Sequence, residues 1–136
     1  MTKEISVSLE YRVPYADTDQ MKVVYHANYL KYFEMGRNEL LRSLNYTYSE
    51  MEADGYGLPV IEAVCRYKKP ARFEDCLTIT AFVMEWKGIK IQIGCVVKRG
   101  EEVLSEGYTL HACLNREGKP CKLPVKLVNI LDKFKA

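Results

Sequence analysis

From Ser6 to Leu44 the chain reads SVSLEYRV, then PYADTDQMKVVYHA, then NYLKYFEMGRNELLRSL, and its apolar period changes across that passage. In the first segment apolar and polar residues alternate, so Val7, Leu9, Tyr11 and Val13 share one face. A period of two belongs to a strand with one side buried. From about Asn28 the period becomes helical. Tyr29, Leu30, Phe33, Leu40, Leu41 and Leu44 fall on one side, while Lys31, Glu34, Asn38 and Arg42 lie largely elsewhere. Asn28 is placed to cap this helix, its side chain accepting from an exposed backbone N–H. Gly36 sits on the fringe of the apolar side. Glycine costs helix stability, so its expected use is close approach of the helix to another element.

The rest of the chain supplies strands. Four runs follow, over residues 60–67, 77–86, 89–98 and 103–114. The third is the cleanest: Ile89, Ile91, Ile93, Cys95 and Val97 alternate with Lys90, Gln92, Gly94, Val96 and Lys98. Lys87-Gly88 and Arg99-Gly100 are suitable turn pairs, and such short links make the neighbours antiparallel. A short second helix is expected around residues 49–53, with Ser49 as cap and Gly55 as stop. A last helix is expected from Pro124, in its first turn, to about Lys133, with Leu127, Leu131 and Phe134 as its apolar stripe. No internal repeat or linker interrupts this order, so residues 1–136 read as one domain. The architecture expected is α+β, a five-stranded antiparallel sheet curled around the long helix. Such a sheet has edges to protect, and pairing between copies protects them, so a homo-oligomer is expected.

Composition narrows the function. A chain of 136 residues, 48% of them apolar, can bury a sizeable core. A formal charge of +2 is nearly balanced, which argues against a dedicated nucleic-acid binder. The five cysteines (Cys65, Cys76, Cys95, Cys113 and Cys121) form no CxxC pair and have no histidine at ligand spacing. They read as buried reduced thiols of a cytoplasmic protein, and no metal site is expected. The Met1-Thr2-Lys3-Glu4 start lacks the apolar run of a signal peptide, and no stretch has the length of a membrane span.

The densest polar chemistry lies between the first strand and the long helix: Asp17, Thr18, Asp19, then Tyr25, His26 and Asn28. A helix N-terminus presents free backbone N–H groups and partial positive charge, which polarise a carbonyl and stabilise an oxyanion. A carboxylate beside it can attack that carbonyl or activate a water. These are the parts needed for acyl transfer or hydrolysis. The competing reading is turn and capping chemistry with no catalysis. His26 is open between packing, solvation of the helix start and general base; His111, in mid-strand, reads as packed.

These residues resemble a known family. The run Tyr15-Ala16-Asp17-Thr18-Asp19, followed by Val23-Val24-Tyr25-His26-Ala27-Asn28-Tyr29, is similar to the signature of the 4-hydroxybenzoyl-CoA thioesterase family, in particular its YbgC-type acyl-CoA thioesterase branch. Glu34 and Arg37 match the acid and arginine on its helix. Pro70 to Ile79 matches its turn into the third strand, and Glu85-Trp86-Lys87 the end of that strand. The resemblance covers about residues 11–114. It implies a hotdog fold and a bacterial cytoplasmic enzyme that hydrolyses acyl-CoA to a free acid and coenzyme A. It makes Asp19 the catalytic carboxylate, as nucleophile or general base, and Asp17 a support for the loop. The backbone N–H near His26 polarises the thioester, Tyr25 and His26 shape the site, and Asn28 matches the helix-start asparagine. Lys87, with Lys90, matches the basic cluster that holds the coenzyme A nucleotide; the competing reading is a pair of solvated charges at a hairpin end. Lys68, Lys69 and Arg72 are a second candidate patch. Coenzyme A belongs to the substrate, so no separate cofactor is implied. Dimers with shared sheets, pairing into homotetramers, and active sites at the subunit interface are implied too. The alternatives carried forward are a hydratase acting on acyl thioesters, a 4-hydroxybenzoyl-CoA-specific enzyme, and a non-catalytic acyl-CoA binder or scaffold of a cell-envelope complex.

Overall fold

A computed structural model describes residues 4–134; the Met1-Thr2-Lys3 start, read above for a signal peptide, lies outside them. The elements are β1 (Ser6–Arg12), α1 (Asn28–Ser43), α2 (Tyr48–Ala53), β2 (Val60–Tyr67), β3 (Cys76–Lys87), β4 (Lys90–Arg99), β5 (Glu102–Ala112) and α3 (Val125–Asp132). The five strands form one antiparallel sheet in the order β1-β3-β4-β5-β2, so β1 and β2 are its edges. The expected α+β architecture is the observed one.

Alternation places the core. Leu77, Ile79 and Ala81 of β3 and Ile91, Ile93, Cys95 and Val97 of β4 are buried, and α1 covers them with Tyr29, Tyr32, Phe33, Leu40 and Leu41. At Gly36 the helix comes closest. A Cβ there would lie 3.1 Å from Ala81 Cβ and 3.3 Å from Ile79 Cγ2, so the expected close approach is what glycine permits.

Five local expectations need correction. Asn28 is the first helical residue and not the cap; Ala27 stands at the cap position and supplies no side-chain hydrogen bond. The Asn28 amide is used as a donor instead, to the Asp17 carbonyl at 2.9 Å. Leu30 is 40% exposed, because the face of α1 toward β2 is not covered by any described element. The second helix begins one residue earlier, with Thr47 and Glu50 forming a capping box in place of Ser49. Pro124 is the cap residue of α3 and not a member of its first turn, its ψ of 133° being extended. The fifth strand ends at Ala112, since Leu114 pairs with Gly57 and Pro120 in separate bridges. No helix among the described residues is long and apolar enough to cross a membrane.

Candidate active site

Pro14 follows β1 and has no N–H to extend the ladder, and the chain makes one tight turn over Tyr15–Asp17. It then folds into a narrow hairpin in which Thr18 pairs with Val24. The Asp19 N–H donates to Val23 O and the Asp19 carbonyl accepts from the Lys22 N–H, both at 2.9 Å. Lys22 takes the left-handed conformation that closes the turn, with φ of +66°. Asp19 Oδ1 accepts from the Met21 N–H at 2.8 Å, which orients the half-buried carboxylate. Its Oδ2 has no hydrogen bond among the described residues. The returning leg is held by the neighbouring loop: Val24 N–H donates to Ala71 O at 2.8 Å, and Val23 bridges to Arg72.

Asp17, two residues earlier, has the opposite surroundings. Its buried carboxylate accepts from Tyr11 Oη and Tyr32 Oη at 2.8 Å and from Lys31 Nζ at 2.7 Å. Burial pushes its pKa up, but the hydrogen bonds from Lys31, Tyr11 and Tyr32 outweigh that and hold it below the ordinary value. Its carbonyl accepts from the Tyr25 N–H and the Asn28 amide, both at 2.9 Å. Asp17 thus ties β1, the Asp19 hairpin and the start of α1 together, as a supporting residue should. Lys31 and Tyr32 were not singled out in the sequence as partners of Asp17. The signal was there: they follow Asn28 within one helical turn of the acid-bearing loop.

At the start of α1 the backbone N–H groups of His26 and Ala27 have no acceptor among the described residues. Tyr67 Oη, from the end of β2, donates to the His26 carbonyl at 3.0 Å and fixes this turn. The His26 ring is exposed, with its centroid 4.5 Å from that of Tyr25. Val24, His26, Tyr29, Tyr67, Lys69 and Pro70 wall an open groove of about 300 Å³. Asp19 does not line it, but stands on the hairpin whose second leg, at Val24, supplies one wall. Tyr67 was not found from the sequence, since its role depends on β2 ending beside α1.

The basic residues divide. Lys87 pairs with Lys90 across the β3–β4 turn, and both line a concavity of about 330 Å³ with Glu85, Gln92 and Leu110. Arg12 pairs with Cys76 at the other end of β3, beside the loop that holds the Asp19 hairpin. At about 3.3 Å per strand residue, Lys87 lies roughly 36 Å from that end. One subunit therefore does not bring Lys87 and Lys90 to Asp19. Lys68 and Lys69 line the groove but are ion-paired to Glu106 and Glu102 at 2.8 and 2.6 Å. His111 is packed, as expected: it is 1% exposed, with Nδ1 2.9 Å from Leu58 O and Nε2 2.8 Å from Thr109 Oγ1. Burial pushes its pKa below the ordinary value.

A carboxylate on a tight turn and free amides at a helix start thus lie on one segment beside a groove. Residues 13–134 match the model of the thioesterase-like superfamily, and the chain belongs to that family. It is 35% identical over 109 residues to YneP of Bacillus subtilis, a provisionally named acyl-CoA thioesterase, covering 79% of each chain. It is 35% identical over 119 residues to the acyl-CoA thioesterase YbgC of Haemophilus influenzae, covering 86% of this chain and 88% of that one. The crystal structure of a probable thioesterase from Bartonella henselae superposes with a TM-score of 0.82 at 32% identity, covering 88% of this chain and 99% of the other.

Proposed function

We propose that this chain hydrolyses acyl-CoA thioesters to a free carboxylic acid and coenzyme A, with Asp19 as the catalytic carboxylate. One observation carries the reading: Asp19, with one oxygen held by Met21 N–H, stands on the hairpin that leads directly into the unpaired N–H groups of His26 and Ala27 at the start of α1. Those amides, at the positive end of α1, stabilise the oxyanion as the thioester carbonyl becomes tetrahedral. Asp19 either attacks the carbonyl carbon, expelling the coenzyme A thiolate and leaving an anhydride for water to open, or takes a proton from an attacking water. Heavy-oxygen label appearing in Asp19 after a single turnover in labelled water identifies the first route. Tyr25 and His26 shape the mouth of the groove.

The position of Lys87 and Lys90 supports an oligomer. β2 is a free edge, and its Val60 and Ile61 are about half exposed, at 45% and 51%. A second copy adding its β2 antiparallel makes one continuous sheet. That reversal brings the partner's Lys87 and the partner's Lys90 to the Tyr67 end, about three strand spacings or roughly 14 Å to the side. A phosphorylated nucleotide held there leaves the pantetheine arm to reach the groove at His26. Pairing of two such dimers into a tetramer, and a bacterial cytoplasmic setting suited to five unbridged cysteines, complete the reading.

The test is thiol release from a panel of aromatic and aliphatic acyl-CoAs by wild type and Asp19→Asn. Turnover that falls about 100-fold or more in the variant is the expected result. Equal rates in the two proteins sink the Asp19 assignment, and no turnover on any substrate moves the protein to a binding or scaffold role.

A further inference from the structure

The face of α1 turned toward β2 forms a groove of about 390 Å³ walled by Leu30, Lys31, Glu34 and Arg37 of α1 and by Val60 and Ala63 of β2. Arg37 is the unusual member. It is only 9% exposed, its Nε has no hydrogen-bond partner, and no carboxylate among the described residues lies within ion-pair distance. Glu34 of the same helix attracts it only from beyond ion-pair distance. A guanidinium withdrawn from water without a close counter-charge is costly, so native arginines in that position are normally paired. Lys31 in the same groove is already committed to Asp17 at 2.7 Å. Glu34 is exposed, one turn before Arg37, and makes no ion pair among the described residues.

The groove is self-complementary. It carries one unpaired acid and one unpaired base, on residues either side of the midpoint of α1. Its other wall, at Ala63, is the middle of the free edge strand β2. A two-fold axis that adds a second β2 antiparallel through mid-strand runs beside this groove, and it sets the partner's α1 antiparallel to this one. Because positions 34 and 37 flank the midpoint of α1, two antiparallel copies that meet near their midpoints set each 34 against the other's 37. A small anionic ligand fits less well, because Glu34 lines the same groove and repels it.

We propose that the groove is closed by a second copy of this chain, in which Glu34 of the partner subunit pairs with Arg37, and Arg37 of the partner subunit pairs with Glu34. This rests on the homodimer proposed above and names the contact that locks it. The partner thereby completes a buried ion pair that one chain leaves half made, and roofs the groove between α1 and β2.

Charge reversal tests it. Arg37→Glu and Glu34→Arg are expected to raise the dimer dissociation constant by more than about a hundredfold each, as two like-charge contacts replace two pairs. The mixture of the two variants is decisive. A heterodimer of them restores both contacts across the axis, whereas a pair within one helix stays broken in each chain. The variants are co-expressed with different tags, alone and together, and scored by co-purification and sedimentation, so that a chain unstable by itself is still read in the mixture. The mixed pair is expected to co-purify as a dimer while neither variant pairs with itself. Single variants that dimerise like wild type, or a mixture that does not assemble, overturn the contact. A wild-type chain that sediments as a monomer at assay concentrations overturns the homodimer itself, and unchanged dimers with tighter binding of small dicarboxylates assign the groove to an anion.

Discussion

Asp17 and Asp19 are two residues apart and face opposite physical problems. Asp17 is buried under three donors, so its carboxylate is spent on holding the loop; Asp19 is half-buried, with one oxygen unclaimed. Asp19→Asn keeps the oxygen that accepts from Met21, so its stability should change by less than about 0.5 kcal/mol while its turnover collapses. Asp17→Asn should do the reverse in the first instance, costing about 2 kcal/mol by removing charged hydrogen bonds to Lys31 and the two tyrosines. The pH dependence separates them further. The folded pKa of Asp17 lies below its ordinary 3.8. Its contribution is therefore present above that ordinary value and is lost as pH falls through the lower folded one. Urea unfolding of wild type should lose stability in that acid window, and Asp17→Asn should show a flatter limb there; identical acid limbs would remove Asp17 from the anchoring role.

At the level of elements, period and turn residues located the strands, most directly β3 and β4, where alternation on one face records burial. The helix α1 was equally legible, and Gly36 marked its contact with the sheet. Gly36→Val should cost roughly 3 kcal/mol, since its Cβ meets Ala81 and Ile79 at 3.1 and 3.3 Å, with two more methyls beyond it. A thermal melt checks this, and a shift of under a degree would mean that the helix moves away freely. What the sequence concealed were choices settled by tertiary partners. Asn28 and Ala27 compete for the cap, and the Asp17 carbonyl decides by accepting the Asn28 amide. Thr47 and Ser49 compete likewise, and Glu50 decides by completing a box with Thr47. Arg37 was visible as a helix residue of the family pattern, but its burial was not, because helical periodicity places it at the margin of the apolar face.

Over the whole molecule the separation of parts matters most. The carboxylate, the helix start and the groove lie at one end of the sheet, and Lys87 and Lys90 at the other. The two-residue turn that makes β3 and β4 antiparallel neighbours also fixes the lysines at that far end, so no rearrangement of one chain joins them to Asp19. If they hold the substrate's nucleotide, each site takes Asp19 from one chain and the lysines from the other. Lys87→Ala with Lys90→Ala should then raise KM for acyl-CoA with little effect on kcat. The same pair of changes should leave an acyl-pantetheine substrate, which lacks the nucleotide, unaffected. Sharing also predicts complementation. In a heterodimer of Asp19→Asn with the double lysine variant, one site carries both lesions and the other carries neither. Random exchange of equal amounts makes half the dimers mixed, so low-substrate activity should recover to about a quarter of wild type. If each chain instead used its own lysines, every site in the mixture would carry one lesion, and mixing would restore nothing.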